Sequence, residues 1–300
     1  INNSDVLIEG FRPGVMEKLQ IGPSDCHEEL IYGRMTGWGQ SGMLSKTAGH
    51  DINYLGITGA LHAIGNREKP IPPLNLVADY GGGSMFLIFG ILAALYERAL
   101  SGKGQTIDAA MVDGVPAMMG LFHQQIAKGS WTDGERQSNL LDGGAPFYRC
   151  YECSDGKFIS VGALEPQFFA ELVKIVKLPE IDLVTQNDRT TWAEKNNAYE
   201  KIFKSKSRDE WSKIFEGTDA CVTPILTLEE AKKSPANLER EVFFERDGII
   251  QASPAPRFGR TQNPKPGRIR GIGSNSEEIL KEIGLDQQEI DELKNSNVLT

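Results

Sequence analysis

"DVLIEGFRPGVMEKL", residues 5–19, and "LIYGRMTGWG", residues 30–39, decide the fold. Asp5–Glu9 and Leu30–Thr36 are short runs rich in Val, Leu and Ile, and each ends in glycine, at Gly10 and Gly37. A short helical stretch around Gly14–Leu19 separates them. Strand, helix, strand with glycine at the carboxyl ends predicts a βαβ unit and a parallel sheet. Ligands of such sheets sit outside the carboxyl ends of the strands. Phe11-Arg12-Pro13-Gly14 and Thr36-Gly37-Trp38-Gly39 are therefore expected at a ligand rim.

Outward from this unit, a helix over Asp51–Gly59 follows His50. "NLVADYGGGS", residues 75–84, leads into an apolar helix to Leu100. A strand over Gln105–Ala110 and helical pattern to about Lys128 follow. Residues 129–146 are rich in Gly, Asp, Ser and Asn and read as a loop crossing to a new unit. "FYRCYECSDGKFISVGAL", 147–164, is a hairpin about the turn Ser154–Lys157. Helices dominate from Pro166 to Phe215, with a break near Leu178-Pro179. Cys221–Leu226 reads as a strand and Leu228–Lys233 as a short helix. Residues 253–268 read as an extended linker, and Ser276–Gly284 and Asp286–Asn295 as amphipathic helices. The expected division is 1–128, 129–252 and 253–300.

The 300 residues are 40% hydrophobic and 24% charged, the balance of a globular chain. Net charge is -9 with no block of Lys and Arg, so nucleic acid is not an expected partner. Cys150 and Cys153 form a lone CxxC in a strand-like run, where positions three apart face opposite sides. They read as ordinary reduced thiols in an intracellular setting. No uninterrupted apolar run reaches the ~18 residues of a membrane span. Residues 85–99 come nearest, and Tyr96-Glu97-Arg98 ends them; a buried core helix is expected there, and no membrane. No signal peptide shows, and Val298-Leu299-Thr300 is not a peroxisomal tripeptide. A cytoplasmic location is expected. Ile1 stands almost directly before a buried strand, so an N-terminal segment is expected to be missing.

Three ionisable residues stand out. Asp79 precedes Gly81, Gly82 and Gly83 and an apolar helix. Asp is a good N-cap, but a cap does not need three glycines. Glycines let a substrate approach the backbone, and free N–H groups at a helix start stabilise an oxyanion. His50, between Gly49 and Asp51, reads either as a helix-start residue or as a base. Glu165, past a strand and before Pro166, reads either as a solvated N-cap-like residue or as a carboxylate that orients a histidine. His62 is expected to be packed, His27 solvated and His123 structural. No Gly-x-Ser-x-Gly elbow and no histidine pair at metal spacing occurs. An imidazole and a carboxylate suit proton transfer at carbon, one giving while the other takes.

These stretches, with "AGHDINYLGITGALHAIG" (48–65), "PPLNLVADYGGGSMFLIFGILAALYER" (72–98), "GKGQTIDAAMVDG" (102–114), "LDGGAPFYRCYECSDGKFISVGALEPQF" (141–168) and "DACVTPIL" (219–226), resemble the class III CoA-transferase (CaiB/BaiF) superfamily, most closely its α-methylacyl-CoA racemase branch. The resemblance implies an α/β fold: a Rossmann-like large domain, a smaller α/β domain and an interlocked homodimer. The tail 253–300 would return to the large domain. It implies an isomerase that inverts carbon 2 of 2-methylacyl-CoA thioesters through an enolate. His50 and Asp79 would be the two bases, with Glu165 paired to His50 and Asn75 holding the Asp79 side. CoA contacts would fall on Gly10, Phe11, Arg12, Lys18, Gly49, Asp51, Ile52, Asn53 and Tyr54. Amides from Asp79 to Gly82, Gly81 included, would serve the enolate. Acyl-CoA is then the substrate, with no metal or redox cofactor. The alternatives are a CoA-transferase with Asp79 as nucleophile, forming an aspartyl-CoA thioester, and an inactive fragment or partner.

Overall fold

The computed structural model describes residues 1–299; Thr300, which closes the C-terminal tripeptide, lies outside the described residues. The chain forms two compact units, Ile1–Ile225 and a second from Leu226 onward, and each is described by itself.

The first unit opens with β1 (Val6–Glu9), α1 (Val15–Lys18) and β2 (Ile31–Thr36). β3 (Thr106–Ala110) completes a parallel sheet of order β1-β2-β3, with Val6 opposite Ile31 and Tyr32 opposite Thr106. The expected βαβ unit is present. β2 is central, and its side chains alternate as a strand requires. Tyr32 packs with Met16 and Leu30 beside α1. Ile31 and Met35 face the opposite layer, with Leu87 and Ile91.

Between β2 and β3 run α2 (Asp51–Ile57), α3 (Ala60–Ala63), a π-helical segment Leu76–Ser84 and α4 (Met85–Ser101). The last two form one continuous 26-residue helix, Leu76–Ser101. Leu87, Ile91 and Ala94 lie on Ile31 and Ala109. Phe89, Leu92, Tyr96 and Leu100, on the other side, are exposed. The expectation of a buried core helix over 85–99 is therefore corrected: one face is buried. By length and composition this helix is also apolar enough to cross a membrane, because the π-helical start lengthens what the sequence pattern begins only near Gly83. After β3 come α5 (Met111–Met118) and α6 (Gly120–Ala127).

β4 (Tyr148–Glu152) and β5 (Phe158–Gly162) form the expected hairpin, and β6 (Val222–Ile225) pairs antiparallel with β5. α7 (Pro166–Val176), α8 (Ile181–Val184), α9 (Trp192–Phe203) and α10 (Arg208–Phe215) accompany them. Their core is aromatic: Tyr151 stacks on Phe203 at 4.8 Å, and Trp211 meets Phe203 edge-on at 5.3 Å. Cys153 is buried and Cys150 exposed, and both are free thiols.

The second unit holds α11 (Leu228–Ala231), α12 (Pro235–Glu239), a hairpin of β7 (Phe243–Arg246) and β8 (Ile249–Ala252), α13 (Ser276–Glu282) and α14 (Gln287–Asn295). Sequence reading passed over α12 and the hairpin. The β7–β8 turn is Asp247-Gly248, both at positive φ, 52° and 76°. That is the Asp-Gly type I′ signature.

Candidate active site

The carboxyl ends of β1 and β2 meet at one rim, since Glu9 lies opposite Arg34. Gly10, Phe11 and Arg12 leave β1 exposed there. Glu9 is buried, and its Oε2 accepts the Phe11 N–H at 2.6 Å. Its Oε1 accepts Arg34 Nε at 2.7 Å, and Arg34 Nη1 donates to Glu17 Oε1 at 2.7 Å. Burial pushes the Arg34 guanidinium down, and the carboxylates of Glu17 and Glu9 outweigh it and leave it above its ordinary value. The hydrogen bond from Arg34 holds the Glu17 carboxyl below its ordinary value. This chain of charges holds the Glu9 carboxylate that ties down the backbone at Phe11. Sequence reading missed Glu9, Glu17 and Arg34. The signal was an ionisable residue within each apolar strand, "VLIE" and "IYGRMT", where burial demands a partner. Among the described residues, the Arg12 and Lys18 side chains have neither a hydrogen-bond nor an ion-pair partner, so Arg12 stands free at this rim and Lys18 at the end of α1.

Past β2, Tyr54 of α2 sits edge-on to Trp38 at 4.7 Å. A Cβ on Gly37 would lie 1.9 Å from the Tyr54 ring, so only glycine admits it. Burial, then the charge of Asp79, raise the Tyr54 phenol. His50, Ile52 and Asn53 are exposed and Gly49 half-buried at the start of α2. His50 N–H donates to Asn53 Oδ1 at 3.0 Å. Asp51 was expected among the CoA contacts. Its side chain is instead turned inward: Oδ2 accepts the N–H groups of Ala78 and Asp79, each at 2.9 Å.

Asp79 lies in the first turn of the π-helical segment, as its fourth residue and not as its cap. That helix begins at Leu76, and with i→i+5 bonding the amides from Gly81 onward are bonded internally. The amides of Asp79, Gly81 and Gly82 are thus not free for an oxyanion, which corrects the expectation. The glycines have a packing reason. A Cβ on Gly114 would lie 1.9 Å from Gly82 O, and one on Gly82 2.9 Å from Val115 N. The helix lies backbone to backbone on α5. Asn75 Nδ2 donates to Asp79 Oδ2 at 3.3 Å, so these two residues are in contact.

Glu165 precedes α7 in extended conformation, exposed, with no side-chain cap bond. Among the described residues it makes no hydrogen bond to His50. It stands near Cys221, whose thiol is raised by burial first and then by the Glu165 charge. A cavity of about 590 Å³ on this sheet is lined by Arg149, Cys150, Ser160, Cys221 and Thr223. The structure thus brings His50, Asp79 and Asn75 to one region and leaves Glu165 beside another. His62, expected to be packed, is exposed beside Arg136, and His27, expected to be solvated, has a buried Nε2 without a partner. The end of α3 two residues before Gly65 leaves His62 on the outside.

The model of CoA-transferase family III matches residues 1–271. The chain belongs to CoA-transferase family III. It is 45% identical over 302 residues to "Alpha-methylacyl-CoA racemase" of Mus musculus, and equally so to that of Homo sapiens. Each alignment covers 99% of this chain and 79% of the relative. Among solved structures, a CaiB/BaiF family protein from Brucella suis superposes with a TM-score of 0.78 at 21% identity, covering 94% of this chain and 76% of that one. That likeness shows the family's mixed α/β fold.

Proposed function

We propose that this protein epimerises carbon 2 of 2-methylacyl-CoA thioesters by two-base proton transfer. What carries the proposal is 45% identity over 99% of the chain to proteins named α-methylacyl-CoA racemase. The geometry adds that the segments bearing His50 and Asp79 are hydrogen-bonded to each other. The His50 imidazole takes the α-proton, and the C–H electron pair becomes the enolate, its charge on the thioester oxygen. The protonated Asp79 carboxyl returns a proton on the opposite face. In the reverse direction the roles exchange. Asp51 and Ile52, in the first turn of α2, have amides a helix leaves without an internal partner, and they adjoin His50. They replace the Asp79–Gly82 amides as donors to the enolate oxygen in this proposal. Arg12 and Lys18 answer the CoA phosphates, and Gly10 and Phe11 lie against the same moiety. The transfer needs neither metal nor redox cofactor.

The proposal includes an interlocked homodimer, in which Glu165 of one copy orients His50 of the other, because one chain does not join them. The exposed Phe89–Leu100 face of α4 supports it as surface that a protein partner would remove from water. A Rossmann-like large domain at 1–128, a small α/β domain at 129–252, a returning tail at 253–300, a cytoplasmic location, and no nucleic-acid or membrane partner complete it.

The test is incubation with a 2-methylacyl-CoA of defined configuration in heavy water. Deuterium enters carbon 2 and the centre epimerises. CoA transfer to a free acid without exchange would instead make Asp79 the nucleophile of a transferase.

A further inference from the structure

We propose that Asp51 is a positioning residue whose buried carboxylate is a strut between the two bases, fixing the separation of His50 and Asp79. The inference rests on the two-base proposal above and assigns to it a side chain that touches neither reacting atom, a role separate from that of the Asp51 backbone amide.

Asp51 is only 6% exposed, and an ionisable side chain so buried needs a reason. It is peptide-bonded to His50. Its Oδ2 accepts two N–H groups from residues 27 and 28 positions away, one of them that of Asp79. Both bases are thus held to the same carboxylate, His50 through the covalent chain and Asp79 through its backbone amide.

Among the described residues, the helix that carries Asp79 has no other side-chain cap. Its own N-cap residue, Asn75, makes no side-chain bond to the helix backbone, and its Nδ2 is turned to Asp79 Oδ2. A helix leaves its first N–H groups without internal partners and favours negative charge there. Asp51 supplies both the acceptor and the charge, from a different helix. Its Oδ1 is buried and, among the described residues, has no partner. The carboxylate therefore belongs to no ion pair or wider network that would explain it. A buried acceptor left open is a standing cost, and the bonds of Oδ2 are what this residue offers in return. The other end of the strut is stiff. Asn53 and His50 bond reciprocally across the first turn of α2, at 3.0 Å and 2.8 Å. Tyr54, one helical turn on, is wedged between Trp38 and Gly37.

If the strut sets the separation, losing it uncouples the two half-reactions. An enolate formed from the His50 side then finds Asp79 misplaced and is more often reprotonated from the side it came from. Exchange with retention should survive better than inversion. Mere loss of folded protein would lower both equally.

Each 2-methylacyl-CoA epimer is incubated in heavy water with wild-type protein and with Asp51→Ala, Asp51→Glu and Asp51→Asn, and deuterated product is resolved into retained and inverted. For the epimer whose α-proton faces His50, Asp51→Ala raises the retention-to-inversion ratio about tenfold or more, since a 1 Å misplacement costs up to ~10²-fold. Asp51→Glu keeps the charge and the acceptor but lengthens the strut, and it raises the ratio too, so the test stands even if the alanine variant does not fold. Asp51→Asn keeps an oxygen acceptor at the same reach, and its retention-to-inversion ratio rises least of the three. An unchanged ratio in Asp51→Glu, or an equal fall of both rates in Asp51→Ala, overturns the strut. Absence of both exchange and inversion in the wild type overturns the two-base proposal itself.

Discussion

Between Phe147 and Val222 the buried polar atoms find partners inside the protein. Tyr151 Oη donates to Pro146 O at 2.6 Å, Tyr199 Oη to Asp182 Oδ2 at 2.8 Å, and Trp211 Nε1 to Phe203 O at 2.8 Å. The stretch from His27 to Asp51 differs. Among the described residues, every buried side-chain nitrogen or oxygen without a partner belongs to His27, Trp38, Gln40 or Asp51. Native interiors leave few such groups open, and those left open mark strain or function. The aromatic region behaves as a closed scaffold. Around the carboxyl end of β2, Trp38, Gln40 and Asp51 keep unspent hydrogen-bonding capacity, with a free cation and a candidate base in the open, while His27 lies at the amino end of that strand.

The sharpest way to break this contrast is to remove one base on the open side. His50→Ala and Asp79→Asn should each lower epimerisation by ~10²–10⁴-fold, with the urea midpoint little changed. Steady-state rates and urea unfolding of the same samples decide it. Normal epimerisation by Asp79→Asn beside a dead His50→Ala would end the two-base scheme.

Phe203→Ala should do the reverse. Its ring is fully buried against Tyr151 and Trp211, so truncation should cost ~3–5 kcal/mol of stability. The rate per folded molecule should hold. A rate loss beyond the folded fraction would show that the aromatic region is not a passive scaffold.

Much of this was legible in the sequence because it is local. Apolar runs ending in glycine located β1 and β2, and the Ser154–Lys157 turn located the β4–β5 hairpin. What was not legible is where distant segments decide. Asp79 looks like a cap, but the cap is Asp51, 27 residues upstream of Ala78. Gly81–Gly83 look like a substrate cradle, but their neighbours are Leu76, Met35 and the residues of α5. The β7–β8 hairpin is a different case: its Asp247-Gly248 signal was local and was simply passed over.

The glycine contact gives a smaller and signed effect. Gly114→Ala places a methyl 1.9 Å from Gly82 O. Such overpacking costs ~1–3 kcal/mol, and the displaced helix carries Asp79, so epimerisation should fall as well. Gly120→Ala, in the neighbouring helix, meets nothing within 4 Å. It should stabilise by ~0.4–1 kcal/mol through the unfolded chain. Calorimetric melting of both variants tests the pair, and equal shifts would refute the close approach of α5.

The smallest effect tests how far the open region reaches toward solvent. Glu17 and Glu9 share Arg34, but Glu9 is buried and the Glu17 side chain is 41% exposed. Arg34 holds the Glu17 carboxyl below its ordinary value of 4.5. A carboxyl lowered by folding contributes stability that is complete above the unfolded value and is lost as pH falls through the folded one. The stability difference between wild type and Glu17→Gln should therefore be flat at neutral pH, begin to close below 4.5, and vanish in stronger acid. Water and salt screen this pair, so the plateau should be under about 1 kcal/mol and should shrink further at high ionic strength. Urea unfolding at a series of pH values, at low and high salt, measures it. A plateau several times larger and indifferent to salt would place Glu17 inside the buried charge chain with Glu9, and the rim would then be closed where it is described as open.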